Sequence, residues 1–100
     1  MKKTVLFGAG QVGAMVSRLL GQDYRAVCFA DNSEVKWGQK LAGLPILSPE
    51  ESLTHRPDCV CLCVLDPERA AQMESQLRSL GYDGPLLSPG ALRIFDARAA

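Results

Sequence analysis

The sequence predicts an α/β protein, in which helices cover both faces of a mostly parallel sheet. Short, almost wholly apolar runs alternate with segments that begin with helix-start residues. The apolar runs lack the in–out alternation of an exposed sheet, which is typical of parallel strands buried on both faces. A length of 100 residues suits one hydrophobic core. We therefore expect residues 1–100 to form a single domain.

The first strand, residues 4–7, leads directly into a glycine-rich turn and then a helix. The turn has the pattern Gly8-x-Gly10-x-x-Gly13, and strand–turn–helix is the context that the dinucleotide-binding fingerprint requires. Gly8 allows the tight turn, Gly10 the close approach of a pyrophosphate, and Gly13 the packing of helix on strand. The free N–H groups and the dipole of the first helical turn favour an anion there. The residues predicted to hold a diphosphate are Gly8, Gly10, Gln11, Val12 and Gly13.

An acidic residue follows at the expected distance. Asp31 comes 18 residues after Gly13, at the end of the second apolar run, residues 25–30, and Asn32 follows it. A carboxylate at this position accepts hydrogen bonds from ribose hydroxyls and repels a 2′-phosphate. A turn cap is the competing interpretation, because Asp and Asn favour turns. Position and residue type together favour binding of the ligand by Asp31 and Asn32.

The next segment departs from the usual crossover. Residues 33–43 are polar and without a clear period, so we expect a loop or a short helical turn. Trp37 could stack on a base or pin this segment to the sheet edge, and pinning is favoured. A third strand follows at residues 44–47, placed at the sheet edge because Pro45 has no N–H to donate. A short helix then starts after a cap at Ser48.

The most apolar strand, residues 59–65, should be central, and Asp66 and Pro67 then start a helix that runs to about residue 80. Ligands bind at the carboxyl ends of strands in open α/β sheets, so Leu65 and Asp66 are included in the predicted site. For Asp66, a helix cap is sufficient as an explanation and is favoured. A short last strand at residues 85–87 and a helix opened by Ser88 complete the chain.

These elements predict a three-layer, Rossmann-like domain with a five-stranded, mostly parallel sheet in the order 3-2-1-4-5. The ligand crevice falls where the strand order reverses, between the first and fourth strands. The predicted site contains no catalytic residue and no metal. Asp66 is the nearest catalytic candidate, and it has no partner group. The single histidine, His55, is expected at the surface, away from the ligand.

Composition excludes several classes of function. Lys plus Arg equals Asp plus Glu at 11 each, which leaves no basic surplus for nucleic acid. No apolar run approaches the roughly 20 residues of a membrane span, and the basic start lacks a signal-peptide core. These features predict a cytoplasmic protein. The four cysteines lie in predicted strands, and core packing is favoured over metal or redox chemistry.

Over a span of about half its length, the sequence resembles the N-terminal, Rossmann-like domain of bacterial nucleotide-sugar-modifying proteins, namely sugar O-acetyltransferases and polysaccharide-biosynthesis dehydratases, with a layout similar to CoA-binding domains. Three runs carry this resemblance: Gly8-Ala9-Gly10-Gln11-Val12-Gly13, Phe29-Ala30-Asp31-Asn32 and Gly43-Leu44-Pro45-Ile46-Leu47-Ser48. The acetyltransferases often have a histidine in the glycine loop, where this chain has Gln11 and Val12. Their hexapeptide repeats, and the second catalytic domain of the dehydratases, have no counterpart in this sequence.

The resemblance implies binding of NAD or a UDP-sugar, with CoA less favoured. The leading hypothesis is a standalone nucleotide-binding module without its own catalytic site, acting beside a glycan-biosynthesis enzyme. One alternative is an NAD-dependent or nucleotide-sugar-modifying enzyme whose active site is completed by a homo-oligomer or a partner enzyme. The other is an interaction scaffold that has kept the fold and lost the ligand.

Overall fold

A six-stranded sheet organises residues 1–90, the part of the chain that the computed structural model describes. The strands are β1 (Lys2–Phe7), β2 (Tyr24–Ala30), β3 (Lys40–Leu41), β4 (Leu44–Leu47), β5 (Cys59–Leu62) and β6 (Leu86–Leu87). Their spatial order is β3-β4-β2-β1-β5-β6, and only β3 and β4 pair antiparallel. The α/β class, the mostly parallel sheet and the reversal of strand order beside β1 are confirmed.

Helices lie on both faces of this sheet. They are α1 (Gln11–Leu19), α2 (Pro49–Leu53) and α3 (Pro67–Ser79). Val16 of α1 packs on one face, and Met73 and Leu77 of α3 pack on the other, together with Leu53 of α2. From β1 to β4 the chain moves toward the β3 edge of the sheet, and from β4 to β6 it moves toward the other edge. Because the connections are right-handed, α1 lies on one face of the sheet, and α2 and α3 lie on the other. The three-layer arrangement is therefore as predicted.

The central strand β1 is buried on both faces. Val5 and Phe7 contact the core on the α3 side, whereas Leu6 contacts Phe29 and the core on the α1 side. This alternation explains why the β1 sequence is apolar at every position from Val5 onward. The burial of β1 fixes the carboxyl end of the strand, where the glycine turn begins.

The prediction of five strands, with Pro45 at the sheet edge, was wrong. A hairpin adds β3, and Lys40 lies opposite Pro45 in the antiparallel pair with β4. Ala42 and Gly43 both have positive φ, 51° and 81°, which is the geometry of a two-residue turn that matches strand twist. Ala-Gly is less typical of hairpin turns than Asn-Gly, so the sequence of residues 33–43 did not clearly indicate a strand.

The segment before this hairpin agrees with the prediction of a short helical turn. It contains one turn of 3-10 helix, Glu34–Lys36. The indole N–H of Trp37 donates to the backbone oxygen of Asp31 over 2.7 Å, so Trp37 pins the segment to the end of β2 as expected. The predicted helix after Ser88 falls on residues 91–100, outside the described part of the chain.

The four cysteines are free and buried, as core packing requires. Cys61 and Cys63 lie on the α1 side of the sheet, and Cys28 lies on the other side. Within residues 1–90, no three His, Cys, Asp or Glu side chains are grouped so that they could hold a metal ion. None of the helices described there has the length and apolar character to cross a membrane.

Candidate functional site

A cleft of about 480 Å³ opens at the carboxyl ends of β1, β2 and β5. Seven of the nine predicted site residues line it: Gly8, Gly10, Gln11, Val12, Asp31, Leu65 and Asp66. Four further residues complete the wall: Lys36, Cys63, Val64 and Arg69. Because these residues come from three separate segments of the chain, 8–12, 31–36 and 63–69, the fold itself brings them together.

Two glycines of the loop are required by close backbone contacts. Gly8 has a φ of +123°, and a Cβ there would lie 3.1 Å from the backbone oxygen of Cys63. A Cβ on Gly13 would overlap the backbone oxygen of Gly8 and press on the ring of Phe29. Gly13 therefore does not line the cleft; it lets α1 pack closely behind the turn.

The start of α1 is open to the cleft. Gly10 is the N-cap residue, and no side chain caps the first turn of this helix. Its backbone is extended, with a φ of −122°, and a Cβ added there would have no atom within 4 Å. The first N–H groups of a helix have no partner within the helix. This turn can therefore donate to an anion that enters the cleft.

Asp31 supports the glycine loop as well as lining the cleft. Its Oδ2 accepts from the N–H of Ala9 and its Oδ1 from the N–H of Ser33, each over 2.8 Å. The hydrogen bond from Ser33 is the turn cap that was the competing interpretation of Asp31, and it is present. A carboxylate has about four acceptor positions, so each oxygen can still accept a hydrogen bond from a ribose.

Lys36 is a cleft residue that sequence reasoning missed. Its Nζ donates to the backbone oxygen of Ala9 over 3.1 Å and lies 3.8 Å from Oδ2 of Asp31. A lysine in a polar loop has the appearance of a surface residue. Its position was the available indication of a role in the cleft, because Lys36 comes five residues after Asp31 in a segment without the period of a crossover helix.

The β5 side of the cleft contains one capped helix and one free cation. Oδ1 of Asp66 accepts from the N–H of Glu68 over 3.1 Å, so the cap interpretation of Asp66 is supported by a direct contact. Arg69 lines the cleft, and within residues 1–90 its guanidinium has neither a hydrogen bond nor an ion pair. The positive charge of an arginine in the first turn of a helix is unfavourable, because it lies at the positive end of the helix dipole. This unfavourable position was the sign in the sequence that Arg69 has a role other than stabilising α3.

Asn32 is not brought into the cleft. Its side-chain amide forms two hydrogen bonds with that of Gln76 on α3, of 3.0 and 2.7 Å. Asn32 thus joins the end of β2 to α3. His55 is also remote, since its backbone oxygen accepts from Lys3 at the opposite end of β1.

Cys63 is the one thiol in the cleft wall, and it is unsuited to nucleophilic chemistry. Contact with the thiol of Cys61 and burial raise the pKa of Cys63, and its side chain donates weakly to the backbone oxygen of Cys61. The group therefore stays protonated at neutral pH, whereas the thiolate is the reactive form.

Comparisons with known proteins agree with this architecture. No family model and no curated protein matches the chain. The fold is similar to UDP-D-quinovosamine 4-dehydrogenase from Vibrio fischeri, with a TM-score of 0.72 and 22% identity over 87% of this chain and 76% of that one. It is also similar to RSP, a Rex-family repressor, with a TM-score of 0.67 and 14% identity over 99% of this chain and 59% of that one.

A second structure of the repressor is a complex with β-NAD⁺ and operator DNA. It matches with a TM-score of 0.66 and 15% identity, over 89% of this chain and 44% of the repressor. The chain thus spans less than two thirds of the repressor. At these identities the likeness establishes the fold: the chain has a Rossmann-like domain, with its cleft where the strand order reverses.

Proposed function

We propose that this chain is a nucleotide-binding module that holds NAD or a nucleotide-sugar without a catalytic site of its own. The observation that carries the proposal is the convergence of the glycine loop, Asp31 and the end of β5 on one cleft. Pockets of about 300–1,000 Å³ hold small molecules and cofactors, and this cleft is within that range.

The backbone of the glycine loop would bind the diphosphate, through the N–H groups at Gly10, Gln11 and Val12. Gly8 and Gly13 would keep the turn close to β5 and α1. Asp31 would accept from the ribose, while Leu65 and Asp66 would flank the part of the ligand beyond the diphosphate. Asn32 has no place in this arrangement, because its amide is bonded to Gln76.

Charge in the cleft supports a phosphate-containing ligand. The carboxylates of Asp31 and Asp66 already accept backbone hydrogen bonds, whereas the guanidinium of Arg69 is free within residues 1–90. Lys36 adds a second cation to the same wall. Both cations add to the positive end of the α1 dipole, which favours an anion at this point.

The neighbours in structure support the same class of ligand. The repressor was crystallised with β-NAD⁺ and with β-NADH, and the dehydrogenase is named for a UDP-sugar. By this analogy, and by the resemblance to nucleotide-sugar-modifying proteins, we propose a role beside a glycan-biosynthesis enzyme. We also propose that residues 1–100 are one domain in the cytoplasm. The balanced charge of the chain supports a small-molecule partner rather than nucleic acid.

The scaffold alternative requires a blocked glycine loop. The two side chains considered as blocking groups are Gln11 and Trp37. Gln11 lines an open cleft, Trp37 bonds to the end of β2, and the space around Gly10 is open. The structure thus gives the scaffold alternative no support.

A thermal-shift panel with NAD⁺, NADH, UDP, UDP-N-acetylglucosamine and CoA tests the proposal. A ligand at 100 times its Kd stabilises the folded state by about 2.7 kcal/mol, which raises Tm by about 10 °C or more in a domain of this size. We expect such a shift with NAD⁺, NADH or UDP-N-acetylglucosamine. The absence of any shift, or an equal shift in a Gly10→Val variant, would contradict the proposal.

A further inference from the structure

The pair formed by Asp31 and Lys36 occupies the position that selects the ribose in this type of cleft. A lone acidic residue there selects a free 2′,3′-diol in two ways. Its oxygens accept from the hydroxyls, and its negative charge repels a 2′-phosphate. Both effects become weaker when the carboxylate already accepts hydrogen bonds from the protein and lies beside a cation.

In this chain the carboxylate of Asp31 is strongly engaged. Each of its oxygens accepts a backbone N–H over 2.8 Å, and its side chain is only 16% exposed. The ammonium of Lys36 lies 3.8 Å from Oδ2, which offsets the negative charge close to where it would act on a ligand. The repulsion of a phosphate by Asp31 is thereby reduced.

Lys36 is fixed at the cleft wall, and its ammonium keeps N–H groups that can donate to a ligand. Of the three N–H groups of an ammonium, one is used on the backbone oxygen of Ala9, and the side chain is 40% exposed. The 3-10 turn that carries Lys36 is fixed to the end of β2 by the indole of Trp37. A phosphate beside Asp31 would therefore meet a cation that is already in position.

We propose that Lys36 adapts this cleft to a nucleotide whose ribose carries a phosphate next to Asp31, with NADP⁺ as the test ligand. The inference rests on the proposed nucleotide-binding function and is opposed to the expectation from sequence that Asp31 excludes a 2′-phosphate. It predicts that NADP⁺ binds at least as tightly as NAD⁺.

Isothermal titration of the full chain with NADP⁺ and with NAD⁺ tests this inference. Loss of one charge-assisted contact in Lys36→Gln should raise Kd for NADP⁺ about tenfold, because only the phosphate needs the cation. The Kd for NAD⁺ should rise less than about threefold on the same grounds. Lys36→Arg keeps the charge and should retain tight binding of NADP⁺.

Lys40→Gln is the matched control, since it removes the same charge from β3, outside the cleft. It should change neither affinity. Tighter binding of NAD⁺ than of NADP⁺ by the unmodified chain would overturn the inference without any variant, so an unfolded Lys36→Gln protein leaves the test intact. An equal loss for both ligands in Lys36→Gln would also overturn it.

The two proposals fail in different ways. If NAD⁺ or UDP-N-acetylglucosamine binds and NADP⁺ does not, the inference about Lys36 is wrong and the nucleotide-binding function stands. If none of the three binds, both are wrong.

Discussion

Two helices begin side by side at the cleft, and their first turns differ. The helix α1 follows β1 and α3 follows β5, and these strands are neighbours in the sheet. At α1 the N-cap is Gly10, with no side chain over the free N–H groups. At α3 the carboxylate of Asp66 accepts from the N–H of Glu68, and Pro67 opens the helix.

The difference shows that a position at the carboxyl edge of the sheet is not enough to make an anion site. Both helices direct a dipole toward the cleft. The chain neutralises the start of α3 with its own carboxylate and leaves the start of α1 open. We therefore propose the start of α1 as the diphosphate site, and treat α3 as a wall of the cleft to which Arg69 contributes a separate charge.

The largest expected effect concerns the packing of α1. Gly13→Ala places a Cβ on the backbone oxygen of Gly8, and because backbone cannot yield easily, we expect a loss of about 3 kcal/mol in the free energy of unfolding, the upper end of the usual cost of overpacking. Gly10→Ala is the matched control, with open space around the new Cβ, and should stay within about 1 kcal/mol of the parent. Urea unfolding measures both. Equal losses would show that α1 does not pack on the turn as described.

The next prediction is a change at Gly10 that should weaken nucleotide binding without lowering the stability of the fold. Gly10→Val fills the space in front of the α1 N–H groups, so the affinity for a nucleotide diphosphate should fall by about tenfold or more. The melting temperature without ligand should change little, because the backbone at Gly10 is extended. Gly21→Val makes the same change at another open glycine outside the cleft. If the two variants bind equally well, α1 is not the diphosphate site.

Asp31 should affect both properties. Asp31→Ala leaves the N–H groups of Ala9 and Ser33 without their acceptor, which should lower the free energy of unfolding by about 1–3 kcal/mol. It should also weaken a ligand that has a free ribose diol. Asp31→Asn keeps one acceptor oxygen and should lose less stability. Binding unchanged in both variants would limit Asp31 to support of the loop.

The smallest effect is expected at Asp66. Asp66→Ala removes the α3 cap and should cost about 1 kcal/mol of stability, with nucleotide affinity almost unchanged. Asp66→Ser restores a cap without the charge and should recover most of the stability. A tenfold loss of affinity in Asp66→Ser, measured by titration calorimetry, would make Asp66 a ligand-binding residue and remove the contrast with α1.

The sequence was sufficient to predict the parts of the molecule that have local or periodic causes. The apolar second half of β1 and the fully apolar β5 indicated a parallel sheet, and the spacing of Gly8, Gly13 and Asp31 placed the cleft. The roles of Asn32 and Lys36 could not be predicted, because they depend on contacts between distant segments. Asn32 bonds to Gln76, 44 residues away, and Lys36 reaches Ala9, 27 residues away. The hairpin was missed because its turn places Ala42 at a positive φ, which alanine seldom adopts.

The most direct test of the contrast between α1 and α3 is a ¹H–¹⁵N titration of the chain with NAD⁺ and with UDP-N-acetylglucosamine. Amide shifts report which N–H groups meet the diphosphate. We predict large changes for Gly10, Gln11 and Val12, and small ones for Glu68, whose N–H already bonds to Asp66. Larger changes at the start of α3 than at the glycine loop, or none at the loop with either ligand, would contradict the account.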